Sequence, residues 1–463
     1  MRDRTWCLAA SVAAVLAAGT VARAAGPASE QELQIKELER KVAALESQQA
    51  RNSKDLATTV DAVLRDAERR SQLLADSGEM SAGYDSSFFI KGPKGFVLRP
   101  NAQFQFRNVT NYREDAKTDG DGDWENGFEY RRMKFALEGT AFGDLSYAFI
   151  WATDRTNGQL KLEEAWTRYM FADDWGVRFG QFKDPVTHEF VMSTKRQLAA
   201  DTSPVDGTLG GGMGGWTQGA LLVYGNYNPK NNLNVEAGIT DGASQYNADF
   251  TGRTDFANAV PKPHTLDFGL VGRAEYRIMG DWKDYKDFTA MGTKEDLLVL
   301  GAGGDWSQGG DGNLILGTAD LQYESPSGFG AYGALLLRYT DSDLTGFGGV
   351  DSTDWGFLVQ GSYLLTGNWE VFGRYDAIFF DNEQGLKRAG VATGDSDDTF
   401  HEITVGVNYY MGTNGEAGHR AKFTVDLSYL PNGASKFSTG LGILDDNGGD
   451  NEWMLRAQFQ LLL

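Results

Sequence analysis

Lysines and arginines at alternating positions are the residues of this chain whose spacing suits chemistry, and that chemistry is electrostatic. Arg132 and Lys134 lie two apart. Arg168 and Arg178 follow in the next segments, Lys183 ends VRFGQFK, and Lys195, Arg196 and Arg374 lie further on. A ladder of such groups lowers the cost of admitting a negative solute to a narrow passage. The plainer reading is that these arginines pair with Glu138 and Glu164 and hold a loop in place. Groups for covalent or metal chemistry are sparse. The histidines at 188, 264, 401 and 419 lie apart, and His188-Glu189 lacks the second histidine of a zinc-protease helix. GxSxG and Walker motifs are missing. GTLGGGMGGWTQG (207–219) opens a strand rather than a helix, so it reads as a loop return and not a phosphate cradle. Asp119, Asp121 and Asp123 have calcium-loop spacing, but the twelfth position is Tyr130 where a bidentate glutamate belongs. The expectation is a protein that is not an enzyme, with no catalytic residue, no metal and no cofactor.

The elements that must carry these residues have a period of two. In FVLRPNAQFQFRN, Leu98, Ala102, Phe104 and Phe106 face one way, and Arg99, Asn101, Gln103, Gln105 and Arg107 the other. In EWMLRAQFQLLL, Leu455, Ala457, Phe459, Leu461 and Leu463 oppose Arg456, Gln458 and Gln460. Apolar outside and polar inside is the pattern of a barrel in a membrane. Strands are expected to start near 96, 128, 145, 160, 175, 216, 232, 264, 297, 313, 330, 354, 369, 399, 420 and 451. Short connections such as 172–175 and 325–328 alternate with long ones such as 111–124, 183–215, 242–263 and 381–398. Residues 280–296 break that alternation, being long where a turn is expected. The fold class read from this is all-β: a 16-stranded antiparallel transmembrane β-barrel preceded by an N-terminal helical coiled coil. An even strand count puts both barrel ends on one side, the periplasm.

Upstream of the barrel the period changes. Arg2 and Arg4, an apolar run to Ala18 and Ala22-Arg23-Ala24 read as a signal peptide over 1–24. Residues 30–75 carry heptads, with Ile35, Val42 and Val63 among the a positions and Leu38, Leu45 and Leu73 among the d positions. They are expected as a periplasmic coiled coil, with 76–95 as a linker and 96–463 as the barrel. The single cysteine, Cys7, lies in the signal, so a disulfide framework is excluded from the mature chain. The net charge of −21 makes a general nucleic-acid partner unfavourable.

Three stretches, RRMKFALEGTAFGDLSYAF (131–149), LEEAWTRY (162–169) and VRFGQFKDP (177–185), resemble the phosphate-selective porin O/P family. The resemblance implies a trimeric outer-membrane channel whose third loop, here 183–215, folds into the lumen. It implies that inward arginines and lysines guide anions such as phosphate to a constriction. By position, Lys183 follows the motif phenylalanine, and Arg131 and Arg132 match the basic pair. The candidate pore residues are therefore Arg132, Lys134, Arg168, Arg178, Lys183, Lys195, Arg196 and Arg374. Two features depart from the family: the acidic net charge, and Leu463 where such barrels end in an aromatic.

Strict alternation turns Arg99, Arg107, Arg273, Arg277, Arg338, Lys422 and Arg456 inward as well. It does the same for Glu138, Glu164, Glu236, Asp267, Glu275, Glu370, Asp376, Glu402 and Asp426, which leaves a nearly balanced, slightly basic lumen. The partners expected are small inorganic anions or other small hydrophilic solutes, outer-membrane lipid, further copies in a homotrimer, and cell-wall contact through the coiled coil. The alternatives are a general or cation-leaning porin without phosphate selectivity, and a mainly structural outer-membrane tether.

Overall fold

The computed structural model describes residues 80–463 except 86, 115–122, 156, 211–214, 245–265, 342, 344–350, 382–397 and 434–450. Before residue 80 it describes 37, 40–43 and 45. Strands follow one another with antiparallel pairing at every step. They are β1 (Ser81–Asp85), β2 (Ser87–Lys91), β3 (Val97–Tyr112), β4 (Trp124–Ala141), β5 (Leu145–Thr153) and β6 (Leu160–Met170). Next come β7 (Trp175–Lys183), β8 (Trp216–Tyr224), β9 (Leu233–Thr240), β10 (Phe268–Met279), β11 (Leu297–Gly309) and β12 (Gly312–Glu324). The last are β13 (Phe329–Thr340), β14 (Ser352–Leu364), β15 (Trp369–Phe379), β16 (Thr399–Tyr410), β17 (Ala421–Leu430) and β18 (Glu452–Leu462).

The sheet closes because β18 pairs with β3 from Trp453 opposite Tyr112 to Leu462 opposite Gln103. β3 to β18 therefore form a closed 16-stranded antiparallel barrel. Closure removes the two edges that an open sheet of these sixteen strands would have. Leu463 joins the seam: its N–H and carbonyl both bond to Ala102, at 2.9 and 3.0 Å. Each expected strand start falls within four residues of the observed one. Residues 81–91, inside the span expected as a linker, form the hairpin β1–β2, which continues onto β3 through Ile90 opposite Leu98.

The outer face carries two aromatic belts built from directly opposed cross-strand pairs. At the rim holding the C-terminus, Trp175 meets Tyr224 and Trp369 meets Tyr409, each at 4.8 Å between centroids. At the other rim Tyr112 meets Trp124 at 4.8 Å, Trp355 meets Phe379 at 4.2 Å and Tyr429 meets Trp453 at 4.4 Å. Exposed Leu335, Leu337, Val359, Val371, Ile403 and Val405 lie between the belts. Aromatic girdles bounding an apolar band are how a barrel meets the two interfaces of a bilayer.

Inside, the polar face is interrupted by buried apolar clusters, and one of them positions the site. Tyr332, Leu336, Leu358, Phe372, Phe380 and Phe400 point inward and are buried in one cluster with Met192, Leu198, Val205 and Leu209. Those last residues belong to the connection after β7, so this connection fills one side of the lumen. Asp267 also departs from strict alternation: it precedes β10, is exposed and accepts from Gly310 N–H, while Leu266 turns in to pack near Phe182.

Of the heptad segment, Glu37, Arg40 to Ala43 and Leu45 are helical, and Lys41 pairs with Glu37 one turn earlier at 2.9 Å. The other heptad positions, the signal peptide and the acidic stretch 119–122 lie outside the described residues.

Candidate functional site

Pro185 ends the β7 ladder because it has no N–H to donate. The chain then turns into the lumen as loop 3. Helix α1 (His188–Val191) is capped by Thr187, whose hydroxyl accepts from Phe190 N–H. Helix α2 (Pro204–Leu209) is capped by Ser203 and starts on proline, which suits a first helical position. Glu189 accepts from the backbone and the hydroxyl of Ser203, at 2.9 and 2.5 Å, tying the helices together. Two glycines let the loop lie against the wall. A Cβ on Gly303 would sit 2.1 Å from the Val186 carbonyl, and one on Gly356 would sit 2.5 Å from Val205 Cγ2.

Asp201 is the electrostatic anchor. It is fully buried and takes Arg107 at 3.0 Å, Arg132 at 2.6 Å and Arg131 in a two-pronged contact. Its backbone carbonyl accepts from Arg374 at 3.0 Å. Burial would raise its pKa, but Arg131, Arg132 and Arg107 hold the carboxyl well below the usual range. A β-bulge makes this convergence possible. Arg132 lies opposite Gln105 and Tyr130 opposite Phe106, so Arg131 has no partner across the ladder. The extra residue puts two consecutive arginines on one face. A second bulge, at Glu163 between Leu162 and Glu164, does the same for two glutamates.

Of the expected pore residues, Lys134, Lys183, Lys195 and Arg196 meet beside this loop and Arg132 and Arg374 hold it, while Arg168 and Arg178 gather apart from it at Glu236; most of their charge is already engaged. Arg132 is held by Asp201. Arg374 is held by Glu402 at 2.7 Å and lies 3.6 Å from Asp376. Arg168 and Arg178 share Glu236, at 2.8 and 2.6 Å. Lys134 pairs with Glu163 at 2.5 Å. Lys183 turns back onto its own loop, donating to the carbonyls of Phe190 and Met192 at 2.7 and 3.1 Å. Arg196 reaches the carbonyl of Lys286 and lies 3.6 Å from Asp287. Lys195 Nζ has no hydrogen-bond or ion-pair partner among the described residues. The acids expected to pair with the ladder do not: Glu138 accepts from Asn101 and Glu164 from Trp166. Their places are taken by Asp201, Glu163 and Glu236. Loop acids have no period to reveal them, and Glu163 is inward only through its bulge.

A cavity of about 750 Å³ remains beside loop 3. Its wall carries Arg99, Lys134, Lys183, Glu138, Glu163 and Glu164. Lys195 and Arg196 face it from loop 3, Lys286 and Asp287 from the connection 280–296, and His419 and Arg420 from the turn after β16. The last four were not among the expected pore residues, because neither connection has a strand period to show which side chains turn inward. The signal that was present is length: 280–296 exceeds what a hairpin needs.

The family model for phosphate-selective porin O and P matches residues 102–264. An uncharacterised protein of Aquifex aeolicus is 22% identical over 285 residues, which cover 59% of this chain and 63% of that relative. The chain thus spans under two thirds of that relative's length. Salmonella typhi OmpF, solved in complex with daunomycin, has a TM-score of 0.51 at 12% identity, covering 80% of this chain and 98% of its own. The outer membrane channel DcaP of Acinetobacter baumannii has a TM-score of 0.47 at 13% identity, with 80% and 99% covered. The OmpF likeness shows a shared fold. The span matched by the model of phosphate-selective porin O and P takes in all three motif stretches and the root of loop 3.

Proposed function

We propose that this protein is an outer-membrane diffusion channel for small hydrophilic solutes, with a preference for anions such as phosphate. The observation that carries the preference is the charge lining the cavity. Arg99, Lys134, Lys183, Lys195, Arg196, Lys286 and Arg420 outnumber Glu138, Glu163, Glu164 and Asp287 there, in a chain whose net charge is −21. Placement of charge, not its sum, sets the potential inside a narrow passage. Among the expected anion-guiding residues, Lys195 has the greatest freedom to meet a solute, with Lys183 and Arg196 beside it. Arg132, Arg168, Arg178 and Arg374 act through the loop and wall they hold.

The saturation of those four arginines favours a second reading, a general porin without phosphate selectivity. Reversal potentials of single channels in a salt gradient separate the two. Anion preference with block by millimolar phosphate supports the first. A cation-selective channel indifferent to phosphate overturns it.

The chain is read as a homotrimer. β5 to β9 have 8 to 11 residues while β10 to β14 have 12 or 13. A low wall covers less of the ~25 Å apolar band and gains from packing against another copy. The heptads at 30–75 are read as a periplasmic coiled coil that supports the trimer and contacts the cell wall. Deleting 30–75 tests this: unchanged oligomer stability and envelope integrity would remove the segment from the mechanism.

A further inference from the structure

We propose that residues 280–296 form a second constriction segment, which meets loop 3 inside the barrel and sets the width of the passage at the rim that carries the C-terminus. The inference rests on the reading of this protein as a channel, but not on its ion preference.

A connection between neighbouring antiparallel strands needs two to five residues. At the same rim β12 and β13 are joined through 325–328, and β14 and β15 through 365–368. The connection from β10 to β11 is several times longer, and its extra length goes into the barrel. Trp282, Tyr285, Phe288 and Ala290 are 1, 2, 2 and 3% exposed. Phe288 packs on Tyr332, an inward residue of β13, at 4.6 Å between centroids, and belongs to the cluster that holds Met192 and Leu198 of loop 3. Gly330 makes room, since a Cβ there would lie 3.0 Å from the Phe288 carbonyl.

The segment is tied to wall and loop alike. Tyr285 accepts from Arg273 and donates to Glu275, both at 3.2 Å. Gln322 donates to the Asp287 carbonyl at 2.5 Å, and Thr293 donates to Glu324 at 2.7 Å. Beside the same wall His188 of loop 3 lies on the Tyr285 ring, and Arg196 donates to the Lys286 carbonyl at 3.3 Å. The backbone at Lys286 is thus held. Its side chain is exposed, lines the cavity, and has no hydrogen-bond or ion-pair partner among the described residues. A held backbone presenting a free charge to a passage is the geometry of a specificity-setting residue.

The test is electrical and needs a variant that folds. Cys7 is the one cysteine and lies in the expected signal peptide, so Lys286→Cys offers a lone thiol in the mature chain. In a planar bilayer, reaction with a negatively charged methanethiosulfonate reagent is expected roughly to halve single-channel conductance, since bulk and charge enter the narrow part of the path. Lys286→Glu is expected to move the reversal potential toward cations with the thermal midpoint unchanged. Tyr285→Ala with Phe288→Ala is expected to raise conductance. If thiol modification, confirmed by mass, and Lys286→Glu both leave conductance and reversal potential unchanged, the segment lies off the path and the inference falls. A wild-type channel that prefers cations but still responds to both changes overturns the anion reading alone.

Discussion

The His188 imidazole lies nearly flat on the Tyr285 ring, with centroids 4.1 Å apart and planes 14° from parallel. One ring enters the lumen from the long-loop rim and the other from the rim of the C-terminus. His188 also meets Gln322 of the wall at 3.0 Å. Two connections that sequence places about a hundred residues apart therefore share one contact.

Proton binding should change how firmly that contact is held. Burial pushes the Asp287 carboxyl up to about 7, against the attraction of Arg196, with Glu370 and Asp284 adding to the rise. His419, 3.9 Å away, is held well below its usual value by burial and offers no compensating charge. Glu324 also faces Asp287 from β12. An unfolded aspartate titrates near ~3.9, so the packed segment holds a proton that the released segment loses. Packing of 280–296 is therefore firmest at acidic pH, weakens as pH rises from about 4 toward about 7, and levels off above that. Proteolysis of the segment at pH 5 and pH 8 measures this: faster cutting at pH 8 is expected, and Asp287→Asn should flatten the difference.

Removing the anchor of loop 3 should be costly. Asp201 and Arg107 are both 0% exposed at their side chains. Asp201→Ala leaves Arg107, Arg131 and Arg132 facing one another in the wall. Breaking a buried pair from one side costs about 3–5 kcal/mol. The expected outcome is a lower thermal midpoint of the β-sheet circular dichroism signal, with larger and noisier single-channel currents as the loop leaves the wall. A midpoint and conductance like those of the unmodified protein would show that the loop is held elsewhere.

Steric contact at Gly303 should matter independently of charge. Gly303→Val forces the wall and the Val186 carbonyl apart, because even a Cβ would lie 2.1 Å from that oxygen. Overpacking of this kind costs about 1–3 kcal/mol. The shift falls at the root of loop 3, so the measurement is conductance together with the thermal midpoint, and both should change.

Lys195 and Arg178 should separate selectivity from stability. Lys195→Glu breaks no hydrogen bond or ion pair among the described residues, but it sets a second carboxylate toward Glu138 at a half-buried position, so a modest stability loss of about 1 kcal/mol is expected. It should move the reversal potential toward cations. Arg178→Ala removes the 2.6 Å pair with Glu236 and the stacking on Phe182 at 4.5 Å. Its main effect should be on the thermal midpoint. The reverse pattern in paired bilayer and melting measurements would exchange the roles assigned to the two residues.

The barrel was legible in the chain because a strand on a bilayer has a period of two, and side chains of one sort must face lipid. That rule is local. It located the strand starts, put Arg132, Lys134, Arg168 and Arg178 on the inner face, and marked the long run after Asp184-Pro185 as a loop. It failed where both faces of a strand are apolar. Leu335, Leu336 and Leu337 run together, and only the packing of Leu336 against loop 3 shows why the inner face is not polar. It failed again at the bulges, where Arg131 and Glu163 turn inward against the alternation.

The sequence by itself determined that this chain makes a closed sheet with a wet, charged interior and a loop long enough to fold into it. Which charges remain free was decided only in three dimensions. A cation on a strand has an alternating neighbour that sequence can name, but its partner can also come from a loop or from across the barrel, and those distances have no period. Asp201 therefore takes three arginines, Glu236 takes two, and Lys195 and Lys286 line the cavity with no ion-pair partner among the described residues.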